Sequence, residues 1–287
     1  MKILVTGANG QLGHELMAIL DPINSHFYDK SQFDITNIHQ IEHQLSFLKV
    51  DIVINCAAYT AVDKAESEKE LCKSINVIGA RNLATICKKL NIKLIHVSTD
   101  FVFDGEQCVP YHENDATNPL SVYGLSKLNG EREIMNILPS SIIIRTSWLY
   151  SSFGKNFVKT IIRLCKERER ERLSIVVDQI GTPTYAADLA LAVNQIIAHP
   201  QFHSESGIFH FSNQGVCSWY DLAVSIAQEY GFKTEIIPIQ TNEYPTHATR
   251  PKYSVFNTKK IKSTFNLEIP HWQNALKRCV LKLKKDE

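Results

Sequence analysis

A chain of 287 residues is longer than one compact domain usually runs, and with 44% apolar and 21% charged residues it holds ample material for a packed core. A formal net charge of only +1 argues against a dedicated nucleic-acid or polyanion surface. Seven cysteines, odd in number, scattered and never spaced as Cys-x-x-Cys, fit free thiols in a reducing cytoplasm better than disulfides or a zinc site.

The amino terminus carries one lysine and then a short apolar run, residues 2–6, broken by Gly7, Asn9 and Gly10. It is too short for a signal peptide, and no apolar run approaches the 18 residues that mark a membrane span. Residues 2–6 suit a central parallel strand. They lead into Gly7-x-x-Gly10-x-x-Gly13, a shifted form of the Gly-x-Gly-x-x-Gly dinucleotide fingerprint, with a helix over about 14–20 whose free N–H groups would meet a pyrophosphate. A second strand over 26–28 ends at Asp29 and Lys30. Asp29 suits the ribose hydroxyls of NAD and Lys30 the 2′-phosphate of NADP, so NADPH is preferred on Lys30 with NADH left open. Asp34, Ile35 and Thr36 either contact adenine or, for Thr36, cap a helix over 37–48.

Residues 51–56 form another buried strand, and the small residues Ala57 and Ala58, with Tyr59 and Thr60, let a cofactor approach the backbone at the strand's end. A long helix over about 68–90 has Leu71, Ile75, Ile78 and Leu83 near helical spacing as core residues. Asn76 interrupts them, either for a polar task or as an exposed residue. A strand over 94–98 opens the stretch that ends in Tyr123 and Lys127. If Tyr123 begins a helix, Lys127 lies one turn on, about 6 Å away. A cation there would lower the phenol, and a shift of about three units corresponds to roughly 4 kcal/mol.

Residues 141–145 make the next strand, before Trp148. To this point strands alternate with helices, as in a doubly wound parallel sheet of the Rossmann kind, an α/β fold. Residues 1–147 are accordingly expected to form the dinucleotide-binding domain and 148–287 mainly a smaller substrate-binding lobe, with some segments returning to the first. In the second part a helix over 157–172 ends in the alternating charges of 166–172, a self-paired solvated face. A strand over 173–177, a polar turn over 178–184, a helix over 187–197, a strand over 207–212 and a helix from a Ser218 cap with Asp221 in its first turn follow. The chain closes on a helix over 272–285.

Five segments, residues 5–13, 55–63, 98–105, Tyr123 with Lys127, and Asp178-Gln-x-Gly-x-Pro-Thr184, together resemble the dTDP-4-dehydrorhamnose reductase family of extended short-chain dehydrogenases/reductases. The resemblance runs the length of the chain and includes Arg250-Pro251. It implies NAD(P)H-dependent reduction of the 4-keto group of a dTDP-6-deoxy-hexulose in the making of dTDP-L-rhamnose, a donor for cell-surface polysaccharide. It assigns Tyr123 as proton donor, Lys127 as its partner and holder of the nicotinamide ribose, and Thr99 as hydrogen-bond donor to the keto oxygen. Asp100, Trp148 and Arg250 fall on the substrate side, with Arg145 either beside the diphosphate or structural. Gly7, Gly10, Gln11, Leu12, Gly13, Asp29, Lys30, Asp34, Ile35, Ala57, Ala58, Tyr59 and Thr60 fall on the cofactor side. Phe101 stands where the family usually has Tyr. Glu15 matches a position at which some members bind magnesium between subunits, but Ala187 occupies another, so no metal and a monomer or weak homodimer are expected. An epimerase or dehydratase of the superfamily would share Tyr123 and Lys127 but retain NAD. A non-catalytic relative, such as the regulatory subunit of methionine adenosyltransferase, would not need Thr99, Tyr123 and Lys127 intact.

Overall fold

The computed structural model describes residues 1–167 and 172–285. Five apolar runs become parallel strands: β1 (Ile3–Thr6), β2 (Ser25–Tyr28), β3 (Ile52–Asn55), β4 (Lys93–Thr99) and β5 (Ile142–Thr146). A sixth strand, Gly207–Phe211, joins them from far along the chain. The order across the sheet is Gly207–Phe211, β5, β4, β3, β1, β2. Strands β1 and β3 to β5 are buried almost along their whole lengths, which is why they read as continuous apolar runs rather than alternating ones.

Helices cover both faces. On one, Leu12 and Leu16 of the helix Gln11–Met17 pack with Leu189, Val193 and Ile196 of the helix Ala186–Ala198. On the other, Ile41 and Leu45 of Ile38–Leu48 pack with Leu83 and Ile86 of Ala80–Leu90. A third apolar cluster, with Val158, Leu222, Ile226, Trp272 and Leu276, joins the helices Phe157–Lys166, Trp219–Tyr230 and Trp272–Lys285 beyond the sheet. Among the described residues no helix is long and apolar enough to cross a membrane.

Several local expectations change. The first helix starts at Gln11 rather than near residue 14. Asn37, not Thr36, caps the second helix by accepting from the Gln40 N–H, because the Thr36 hydroxyl is turned back onto Asp34. The long helix over 68–90 is three pieces, Lys69–Lys73, a π-helical Ser74–Gly79 and Ala80–Leu90. Wider π turns rephase the buried face, so Leu71, expected in the core, is 45% exposed while its neighbour Cys72 is buried. The helix expected over 157–172 ends at Lys166, and the remainder of the charged run, 168–171, lies outside the described residues. A parallel pair, Arg172–Val176 with Glu235–Ile239, and short helices at Lys259–Phe265 and Thr241–Glu243 complete the second part. Ser218 caps its helix in a reciprocal box with Asp221.

Candidate active site

The carboxyl ends of β1, β2 and β3 open on a cleft of about 600 Å³. Gly7 turns the chain there with φ of +65°, and a Cβ on it would stand 2.7 Å from the Ala57 backbone nitrogen. A Cβ on Gly13 would meet the Gly7 carbonyl at 2.5 Å. Glycine is therefore required at both places by contact of the loop with β3 and with itself. The helix that follows has Gly10 as its cap and no side chain closing its first N–H groups, which leaves them for a ligand. Gly7, Gly10, Gln11, Leu12, Asp29, Lys30, Asp34, Ile35, Ala57, Ala58 and Thr60 line the cleft. Gly13 lies beneath the loop, and Tyr59, Tyr123 and Lys127 are set off its wall.

The size of this cleft and its glycine-cradled backbone fit a dinucleotide. Its far end is informative about which one. Both Asp29 oxygens are committed to protein donors, Oδ1 to the Ser31 N–H and hydroxyl and Oδ2 to Asn9. The same hydrogen bonds, the Ser31 hydroxyl's first, lower the Asp29 pKa. Exposed Lys30, with Ser31 and Lys155, also lines this cleft, and cations and hydroxyls are what a 2′-phosphate would need. Ser31, Gly154 and Lys155 were not singled out by the sequence reading, since no spacing rule links residues 154 and 155 to the first strand.

Toward β4 the site becomes drier. Ser121 caps the helix Val122–Ile137 by accepting from the Gly124 N–H, which sets Tyr123 at its first turn. A Cβ on Gly124 would sit 2.2 Å from the Phe101 carbonyl oxygen, so this turn is pressed against the segment after β4. Tyr123 is 8% exposed and meets the Phe101 ring edge to face at 5.4 Å. Burial pushes its phenol above the ordinary range; a hydrogen bond with Thr99 opposes this, and Asp100 and Cys72 add to it. The expected lowering by Lys127 is not what acts on Tyr123. Lys127 Nζ instead donates to the Val97 carbonyl at 2.7 Å and lies 3.2 Å from His96 Nε2. Its own pKa is pulled down to about 8 by burial, against the charge of Glu131. Desolvation penalises both charged forms here and is the largest cause of each shift.

Thr99 donates to Asp100 Oδ1 at 3.1 Å. Asp100 is buried, its Oδ2 has no hydrogen-bond partner among the described residues, and burial raises its pKa to about 6 against the pull of the Ser254 and Thr99 hydroxyls. The buried hydroxyls of Ser98 and Thr146 are likewise unpartnered. Trp148 has a left-handed backbone, φ of +47°, and its indole stacks on Trp219 at 3.6 Å and 7°. Gly181 is glycine because a Cβ there would stand 2.6 Å from that indole. Trp219 and Ser254 escaped the sequence reading; each reaches the site across a long separation in the chain.

The two arginines behave differently. Arg250 forks onto Asp63, at 2.7 Å and 3.2 Å, at a partly exposed edge. Arg145 takes the structural alternative: it is 2% exposed and bound through Nε and Nη2 to buried Glu131. Glu15 is also turned inward, accepting from Ser151 at 2.6 Å.

The RmlD substrate binding domain family model matches residues 1–285. The chain belongs to this family of extended short-chain dehydrogenases/reductases. It is 42% identical over 290 residues to a dTDP-4-dehydrorhamnose reductase of Aggregatibacter actinomycetemcomitans, covering 96% of this chain and 97% of that one. It is 40% identical over 278 residues to the spore coat polysaccharide biosynthesis protein SpsK of Bacillus subtilis, covering 96% and 95%. A crystal structure of dTDP-4-dehydrorhamnose reductase from Bacillus anthracis in complex with NADP superposes with a TM-score of 0.93 at 42% identity, covering 98% of this chain and all of that one. The α/β fold with a six-stranded parallel sheet and a smaller carboxyl-terminal region is thus the family's fold.

Proposed function

We propose that the chain is an NADPH-dependent dTDP-4-dehydrorhamnose reductase, reducing the 4-keto group of dTDP-4-dehydro-L-rhamnose to give dTDP-L-rhamnose for polysaccharide synthesis. It acts in the cytoplasm, as a monomer or weak homodimer. Full-length identity to reductases of that name supports the substrate. The observation that carries the reading in the structure is the glycine-cradled cleft of dinucleotide size at the carboxyl ends of the strands, with Tyr123 buried near its wall.

Residues 1–147, joined by Gly154 and Lys155, hold the cofactor, and the other later segments that do not return to the sheet cover the sugar nucleotide. Gly7, Gly10, Gln11 and Leu12 cradle the pyrophosphate, and Lys30 and Ser31 receive the 2′-phosphate. Bound there, NADPH supplies the hydride. Tyr123 and Thr99 act on the other side of the bond. A phenol pushed upward in pKa keeps its proton at neutral pH, which is the state a donor to a developing alkoxide requires. Thr99 offers a hydroxyl to the same oxygen. Asp100 and Trp148 position the sugar, with Arg250 nearer the diphosphate.

The test is to follow the absorbance of reduced nicotinamide with purified protein and dTDP-4-dehydro-L-rhamnose. Turnover with NADPH at higher kcat/KM than with NADH is expected. No oxidation of either cofactor, together with stoichiometric NAD retained through purification, would replace this reading by an epimerase or dehydratase.

A further inference from the structure

One wall of the dinucleotide-sized cleft comes from the second part of the chain. Leu149, Gly154 and Lys155 line it opposite the glycine loop, and the segment from Ser151 to Asn156 is built to hold them there. Gly154 makes the turn, with φ of +66°, and a Cβ on it would stand 3.2 Å from Gln11 Cγ. Asn156 Nδ2 donates to the Ser151 carbonyl at 2.8 Å and to Gln11 Oε1 at 2.9 Å, while its Oδ1 caps the helix Phe157–Lys166. Gln11 Nε2 reaches the Leu149 carbonyl at 3.3 Å. The Gln11 amide is therefore spent on this segment, and only its backbone N–H remains for a ligand.

The back of the segment is pinned as well. The Ser151 hydroxyl donates to buried Glu15 at 2.6 Å and accepts from the Phe153 N–H. The Phe153 ring is stacked on His14 at 4.7 Å, with Lys282 Nζ 4.4 Å from its centroid. Held on both sides in this way, the segment presents Lys155 to the cleft. Lys155 is exposed and has no ion pair among the described residues. The carboxylates of the cleft are not free in the same sense: Asp29 is bound to Ser31 and Asn9, and Asp34 accepts from the Thr36 N–H and hydroxyl.

We infer that Lys155 is a cofactor-binding residue that closes on the pyrophosphate, with the Gln11–Asn156 bracket as its positioning device. A pyrophosphate carries two negative charges, and an ammonium set beside backbone N–H groups adds a full charge to their partial ones. Lys155 is flanked by the two residues that touch Gln11, whereas Lys30 follows Asp29 at the end of β2. The two cations thus divide the cofactor between them, Lys155 on the part common to NADH and NADPH and Lys30 on the 2′-phosphate. For the identity of the ligand the inference rests on the reductase reading.

Calorimetric titration of the full-length protein with NADPH and with NADH, without sugar, tests it. Lys155→Ala should weaken both dinucleotides by the same factor, about three- to tenfold, and Lys155→Arg should recover most of the loss. Lys30→Ala should weaken NADPH alone. In the Gln11→Ala background, which keeps the backbone N–H, the penalty of Lys155→Ala should shrink, and a penalty of undiminished size would overturn the role of the bracket. A Lys155→Ala loss confined to NADPH would place the ammonium on the 2′-phosphate and overturn the assignment, as would no loss with either. Wild-type protein that bound neither dinucleotide would end the reductase reading itself, whereas normal wild-type binding that Lys155→Ala leaves untouched ends this inference only.

Discussion

Tyr123 is held by contacts on every side, and that constrains what its removal should do. Its ring lies edge-on to Phe101, in a small cluster with Tyr59, Ala65 and Cys72, none of which depends on the hydroxyl. Tyr123→Phe should therefore fold as the parent does and bind NADPH within about two- to threefold, while kcat falls on the order of 10²–10⁴-fold. Stopped-flow cofactor binding beside steady-state rates separates the two, and unchanged turnover would remove Tyr123 from the chemistry. That Tyr123 and Lys127 share one helix, a turn apart, was legible from their spacing, whereas Thr99 was singled out by the family resemblance alone. The stack of Trp148 on Trp219 and the approach of Ser254 to Asp100 were not legible, since contact between remote segments leaves no local period. The direction of the Tyr123 shift was also out of reach, because it depends on how completely water is excluded, a property of the packed site.

At the scale of elements, the π-helical Ser74–Gly79 explains a residue that helical spacing leaves ambiguous. Asn76 lies on it, 2% exposed, and its amide accepts from the Tyr59 N–H at 2.9 Å and donates to the Tyr59 carbonyl and the Ser126 hydroxyl. One side chain thus ties the loop after β3 to the helix that carries Tyr123. The helix Val122–Ile137 comes so near that a Cβ on Gly130 would stand 2.2 Å from the Asn76 carbonyl oxygen. Asn76→Ala strands the Tyr59 backbone groups in a dry place, and a loss of about 1–3 kcal/mol is expected. The urea midpoint should fall with the slope preserved, and KM for NADPH should rise because Ala58 and Thr60, which flank Tyr59, line the cleft. A midpoint equal to wild type would mean that the loop is held by something else.

Across the whole molecule, the alternation of strand and helix up to β5 was readable because all of these strands but the edge strand β2 are buried on both faces and helices connect them. Gly207–Phe211 also reads as a strand, but its place beside β5 is set by packing of Phe209 and Phe211 against the helix Ala186–Ala198 and Phe265, which no local pattern encodes. Building the site at the carboxyl ends of this sheet buries two ionisable groups in unfavourable charge states, and the cost shows in the pH dependence of stability. Asp100 is raised from an ordinary value of 3.8 to about 6. Between those values the native state retains a proton that the unfolded chain has released, so stability falls as pH rises through the window and the loss persists above it, on the order of 3 kcal/mol. Lys127, lowered from 10.5 to about 8, has the opposite slope at the other end: as pH falls through that range the unfolded chain takes up a proton first, and stability falls again. Neutral pH is thus where the site weighs most on the fold. Asp100→Asn removes the acidic half of the penalty. Its Tm should exceed that of wild type clearly at about pH 8 and by much less at about pH 5, while catalysis is impaired. A constant Tm difference across that range would show that Asp100 does not change its protonation on folding.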